Sequence, residues 1–252
     1  MPANRLAECQ LPDLPEPFAT ALRQSVEFIL SDFHPIGIVA TGTIVRGTAN
    51  ANSDLDLYVV HTAAHRRRVQ RFFNGVPAEI FVNPASAVRA YFVDEDRNGR
   101  RFTAHMIATG VVVFRDGPIM DELRTEARGW LEKKTAMSDF ERVSTRYGIA
   151  SRLEDALDLA DTDDVTATML LAESVIAILE YACKAADGRI PRRKELMTMI
   201  AGRDSEIAQL ATEFFQAASI SERKRSALAL ADRTIGARGF FEWDSGPGPA
   251  PQ

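Results

Sequence analysis

The stretch from Ile36 to Val60, IGIVATGTIVRGTANANSDLDLYVV, constrains this chain more than any other. Ile36, Ile38 and Val39 form an apolar run that stops at Thr41-Gly42-Thr43, the pattern of a buried strand ended by a turn. Gly42 allows positive φ and the close approach of a neighbouring group. Thr43 to Ala49 is long enough for one or two helical turns, with Thr43 placed to cap them. A second strand follows, Asp54 to Val60. Side chains alternate along a strand, so Asp54 and Asp56 share one face while Leu55 and Leu57 share the other. Two carboxylates side by side on a half-buried strand repel and lose hydration, and a divalent cation offsets both costs. A solvated edge strand would also carry such a pair, but the Gly-Thr turn adds backbone donors and a hydroxyl beside it. Donors beside a metal are what a triphosphate needs.

Gly42-Thr43, Arg46-Gly47 and Ser53-Asp54-Leu55-Asp56-Leu57 together resemble the signature of the nucleotidyltransferase superfamily that includes DNA polymerase β. The chain is most similar to its small bacterial members and to aminoglycoside adenylyltransferases. Threonine stands where that signature usually has serine, and the hydroxyl is kept. The resemblance also implies a third carboxylate on a neighbouring strand. Val76 to Val82 is a short apolar segment with one acid, so Glu79 is the candidate.

At 252 residues with two cysteines, Cys9 and Cys183, and a formal net charge of −5, the chain fits one large or two modest domains. A disulfide framework is not indicated, and a reducing cytoplasm is expected. The acidic balance argues against a general nucleic-acid binder. No apolar run reaches the roughly 20 residues that span a bilayer, and the first residues lack a signal-peptide core, so no membrane partner is expected.

Residues 1–16 read as a loose, proline-rich segment. Phe18, Leu22, Val26 and Ile29 recur at helical spacing. After the second strand, Ala63 to Phe73 reads as a surface helix whose Arg66, Arg67, Arg68 and Arg71 either face an anionic ligand or, the stronger reading, form a solvated face. His61 and His65 read as structural or exposed. Past the Glu79 strand come helices over Ala85–Asp94 and Phe102–Ala108 and a strand over Val111–Phe114; from Ser138, with a capping box over Ser138–Glu141, five helices run to Ile235. The fold class is therefore α+β: a mixed sheet with flanking helices over 17–125, an all-helical bundle over 126–243 and a tail over 244–252.

The resemblance implies Mg²⁺, and ATP or another NTP as co-substrate. Nucleoside monophosphate passes to the hydroxyl of a small acceptor, of which an aminoglycoside is one type. It implies Asp54 and Asp56 as metal ligands, and Glu79 as either a third ligand or the general base. Gly42, by backbone N–H, and Thr43, by hydroxyl, would cradle phosphates within the motif that Ser53 completes. Arg46 is either a triphosphate contact or a surface ion pair. Lys194, at the start of a helix after Pro191, is either a second triphosphate contact or an ordinary basic helix end. Glu173 and Glu180 would suit a cationic acceptor or lie on a solvated face. Two other functions stay open: AMPylation of a partner protein by an antitoxin-type enzyme, and nucleotide binding without turnover.

Overall fold

The computed structural model describes residues 5–246. The chain divides into two compact units, Met1–Lys133 and Lys134–Gln252. The first contains a five-stranded mixed sheet with flanking helices, and the second is helical.

In the first unit, helix α1 (Phe18–Asp32) precedes strand β1 (Gly37–Thr41), a single turn of helix α2 (Gly42–Val45) and strand β2 (Leu55–His61). Strands β3 (Arg67–Phe73) and β4 (Val76–Pro84), helices α3 (Ala85–Arg97) and α4 (Phe102–Thr109), strand β5 (Val111–Arg115) and helix α5 (Ile119–Glu132) complete it. The sheet order is β3-β4-β2-β1-β5. All neighbours pair antiparallel except β2 and β4, which run parallel.

Period-two alternation gives the sheet two faces. On one, Ile38, Ala40, Leu55, Leu57, Val59, Ile80 and Val82 pack with Leu22, Val26 and Ile29 of α1. On the other, Val39, Tyr58 and Val60 pack with Val88 and Phe92 of α3, Ile107 of α4, and Met120 and Leu123 of α5. Asp56 lies on this second face, two residues before Tyr58. The helical covering therefore stops one side-chain step short of it, and Asp56 is half-buried.

The expected helix over 63–73 is instead strand β3, an edge strand joined to β4 by a two-residue turn. Asn74 and Gly75 hold φ of 48° and 78°, both in the left-handed region that two-residue hairpin turns require. Residues 5–16, expected to be loose, are attached to the sheet. The Gln10 N–H donates to the Val113 carbonyl at 2.7 Å, and Leu6, Cys9, Leu11 and Leu14 pack on the α1-side core. The boundary expected at 125/126 falls inside α5, because Leu123 and Ala127 pack in the sheet-side core and keep that helix in the first unit.

In the second unit, helices α6 (Asp139–Leu159), α7 (Asp164–Asp187), α8 (Arg193–Ala201), α9 (Ser205–Gln216) and α10 (Ile220–Thr234) share one core. Leu153, Leu171, Ile178, Ile200, Phe214 and Leu230 are among its residues. Side-chain caps start four of these helices: Ser138, Asp163, Asp204 and Ser219 each accept from a first-turn N–H. Such a cap is worth about 1 kcal/mol. The reciprocal capping box forms at Ser219 and Glu222. At Ser138 the serine half forms, while the Glu141 carboxylate takes Lys184 at 2.5 Å. By length and apolar composition α7 is long enough to cross a membrane, although Glu173 and Glu180 interrupt its apolar run. Its Leu171, Val175, Ile178 and Leu179 are buried among the other helices. Of the expected tail, residues 247–252 lie outside the described residues.

One buried ionic group ties together the three helices over the Asp56 face. Asp96, near the end of α3, accepts from Arg101, which precedes α4, at 2.6 Å and from Lys133, which follows α5, at 2.5 Å. The side chains of Asp96 and Arg101 are 7% and 4% exposed. Burial alone would push the Asp96 carboxyl up, but Lys133 and Arg101 outweigh it and hold it below the usual range. Asp96→Ala leaves a buried guanidinium without this partner, and urea unfolding should show a loss of about 3–5 kcal/mol. Because the folded pKa is lowered, the carboxylate's contribution is complete above the unfolded-state value of about 3.9. It disappears as pH falls through the folded value, a window that acid unfolding of the wild type and of Asp96→Asn would reveal.

Candidate active site

The parallel register of β2 and β4 sets Leu55 beside Ala78, Asp56 beside Glu79 and Leu57 beside Ile80. Laterally paired residues project from the same face, so Asp56 and Glu79 are neighbours on one side of the sheet. Asp54 immediately precedes β2 and reaches the same place. One carboxylate oxygen from each of Asp54, Asp56 and Glu79 lies within 4.8 Å of the others. Asp54 is exposed and the other two are half-buried. At that separation two carboxylates repel by roughly 1 kcal/mol in water and about 3.5 kcal/mol at the effective permittivity near a protein surface. A set made only of carboxylate oxygens is the donor chemistry that hard divalent cations take. The residues present therefore fit such an ion.

Gly42 completes the approach. Its φ is +91°, and a Cβ there would lie 2.5 Å from Asp56 Oδ2. The β1–α2 bend thus brings its backbone against the Asp56 carboxylate, where no side chain fits. Thr41 pairs with Asp56 across β1 and β2, which fixes the bend at the height of the carboxylates.

The 46–54 connection is held by its own polar groups. The Asn52 N–H donates to Asn50 Oδ1 at 2.9 Å, and the Ser53 N–H to the Asn50 carbonyl at 3.0 Å. Ser53 is buried, and its Oγ accepts from the Asn50 N–H at 2.8 Å and from the Thr43 hydroxyl at 3.1 Å. Ser53 thus ties the connection to α2 and delivers the chain to Asp54. Arg46 is exposed at the end of α2.

Glu79 also has partners on its other side. Gln70 on β3 pairs with it in register, and the Gln70 Nε2 donates to Glu79 Oε1 at 2.5 Å. Arg68, two residues earlier on the same face, reaches the same oxygen at 2.6 Å. Its guanidinium lies over the Phe81 ring at 4.7 Å, and Phe81 stacks on Tyr58 with ring centroids 6.0 Å apart. Gln70 was not expected at the site, and Arg68 only as one of a basic cluster facing a ligand from a helix. The signal for them is present: Asn74-Gly75 is a hairpin turn sequence, and Val69 and Phe73 share one strand face ahead of it. That pattern makes β3 a strand and puts Arg68 and Gln70 on Glu79's face.

The remaining expected residues belong to other elements. Lys194 is exposed at the start of α8 in the helical unit, next to residues whose ion pairs are Arg192–Glu195 and Arg193–Glu180. Glu173 pairs with Arg152 at 3.6 Å, and Glu180 with Arg193 at 3.0 Å. His61 is buried, and its Nε2 contacts the His65 carbonyl oxygen at 2.7 Å, which makes it structural; His65 is exposed.

Comparison with known proteins agrees with this geometry. Residues 22–108 match the family model described as a nucleotidyltransferase domain, a span that holds Gly42, Thr43, Asp54, Asp56 and Glu79. Among solved structures, the chain is similar to a nucleotidyltransferase-like protein from Exiguobacterium sibiricum. The identity is 14% and the TM-score 0.50, over 86% of this chain and 73% of that one, a likeness of fold. No curated protein matches. The family match covers the part of the strand-containing unit that carries the carboxylates, and the structural likeness is one of fold.

Gly42→Ala tests the bend. Strained φ at a non-glycine residue costs of order 1–3 kcal/mol, and the added methyl group must displace the Asp56 carboxylate. Thermal melting should show a folded but destabilised protein, and calorimetry a weakened affinity for Mn²⁺.

Proposed function

We propose that this chain transfers a nucleoside monophosphate, AMP from ATP, to a hydroxyl of a small acceptor with Mg²⁺ as the metal. The single observation that carries this proposal is the convergence of Asp54, Asp56 and Glu79 within 4.8 Å beside Gly42. In such a transfer the acceptor oxygen bonds to the α-phosphorus, the bond to the β-phosphate bridge breaks, and pyrophosphate leaves. Charge gathers on the non-bridging and leaving oxygens, so positioning and electrostatic stabilisation supply most of the catalysis.

Asp54 and Asp56 are assigned to hold the cation. When bound, a divalent ion offsets phosphoryl charge and orients the displacement. Glu79 takes one of two parts: third ligand, or base that accepts the acceptor's proton. Either requires its carboxylate beside the two aspartates. The backbone of the Gly42 bend and the Thr43 hydroxyl are assigned to the phosphate tail, and Arg46 to its outer charge. The acceptor class, an aminoglycoside-like alcohol, rests on the resemblance of the motif. A cytoplasmic setting, which supplies ATP and Mg²⁺, suits two free thiols, Cys9 and Cys183.

Asp56→Asn decides the matter. Neutral asparagine keeps the shape of the side chain and removes the charge. Pyrophosphate release and acceptor mass gain should fall by more than about 100-fold, beyond the range that outer-shell changes produce, with no fall in melting temperature. Undiminished transfer in this variant would refute the assignment.

A further inference from the structure

We infer that Arg68 and Gln70 are positioning residues that aim the Glu79 carboxylate at the aspartates, an inference that rests on the functional reading above. Glu79 is a long, flexible side chain placed beside two other carboxylates. Repulsion favours rotamers that carry it away from them. Edge strand β3, on the side of β4 away from β2, supplies two donors that hold one carboxylate oxygen in a single position. Gln70, paired with Glu79 in register, gives Oε1 an amide hydrogen at 2.5 Å. Arg68 brings a guanidinium to the same oxygen at 2.6 Å. Both donors approach from the β3 side, and both engage one oxygen.

Arg68 is itself held in place. Its guanidinium lies over Phe81, which stacks on the buried Tyr58, two residues along β2 from Asp56. The support therefore runs from the sheet core through two rings and a guanidinium to the carboxylate. Stability alone does not account for this arrangement. Arg68 is 59% exposed, and ion pairs at such exposure add little to folding. Partners that orient a ligating carboxylate have a different effect: their removal typically costs 10–100-fold in metal affinity or activity.

The test uses two variants that leave the formal charge unchanged. Gln70→Ala removes a neutral donor, and Arg68→Lys keeps the cation but removes the planar fork and its fit on Phe81. Binding of Mn²⁺ to the full chain is measured by calorimetry in the presence of a non-hydrolysable ATP analogue, with thermal melting alongside and Glu79→Gln as reference. Positioning predicts about tenfold weaker Mn²⁺ binding in each of the two variants, with melting temperatures close to that of the wild type. Wild-type Mn²⁺ affinity in both, with Glu79→Gln impaired, would overturn the positioning role alone. Weakening matched by a large fall in melting temperature would overturn it too, since that is the mark of a structural role. Mn²⁺ binding unaffected by Glu79→Gln would overturn this inference and the third-ligand part for Glu79, whereas undiminished transfer in Asp56→Asn would overturn the reading of the site itself.

Discussion

The parallel pairing of β2 with β4 is the constraint on which the site depends. It is the one parallel contact among the described strands, and its register puts Asp56 directly beside Glu79. A slip of one residue would send either side chain to the opposite face, into the core built with α1. Burial on that opposite face guards against the slip. Leu55, Leu57, Ile80 and Val82 are all fully buried there, and each would have to emerge if the strands shifted. The apolar face thus sets the position of the charged one.

The rest of the first unit follows from the same division. Helices α3, α4 and α5 cover the Tyr58 and Val60 end of the acidic face and are locked together by Asp96, Arg101 and Lys133. Their covering stops before Asp56, leaving the carboxylates accessible at the end of a well-packed layer. Gly42 brings backbone against one aspartate, Ser53 ties down the approach to the other, and β3 braces the glutamate. Each of the three acids is thereby held by a different segment around a shared point.

Much of this was legible in the sequence, for reasons that can be stated. Asp54-Leu55-Asp56-Leu57 alternates with period two, so one strand with its acids on one face follows from geometry alone. Gly42 stands where a turn must interrupt an apolar run. The helical unit could be read from Asp163, Gly188 and the apolar stripe of α7, because helix signals are local. The β3 hairpin resembles a solvated helix face because its exposed edge strand carries three arginines, with Arg66 just before it. Arginine favours helices, and an edge strand needs few buried residues to disclose its period. Arg68 and Gln70 were lost with that strand, since their link to Glu79 exists only through cross-strand pairing. The attachment of residues 5–16 escaped notice for a similar reason: its anchor is the Val113 carbonyl, about a hundred positions away.

The central claim is that Asp54 and Asp56, with Glu79 beside them across the parallel β2–β4 pair, take a divalent cation at the Gly42 bend. Diffraction at an energy above the manganese absorption edge, from crystals of the full chain soaked with Mn²⁺ and a non-hydrolysable ATP analogue, tests it most directly. The account predicts anomalous density enclosed by Asp54, Asp56 and Glu79, with the analogue's phosphates against Gly42 and Thr43. Manganese bound elsewhere, or phosphates bound away from that bend, would contradict it.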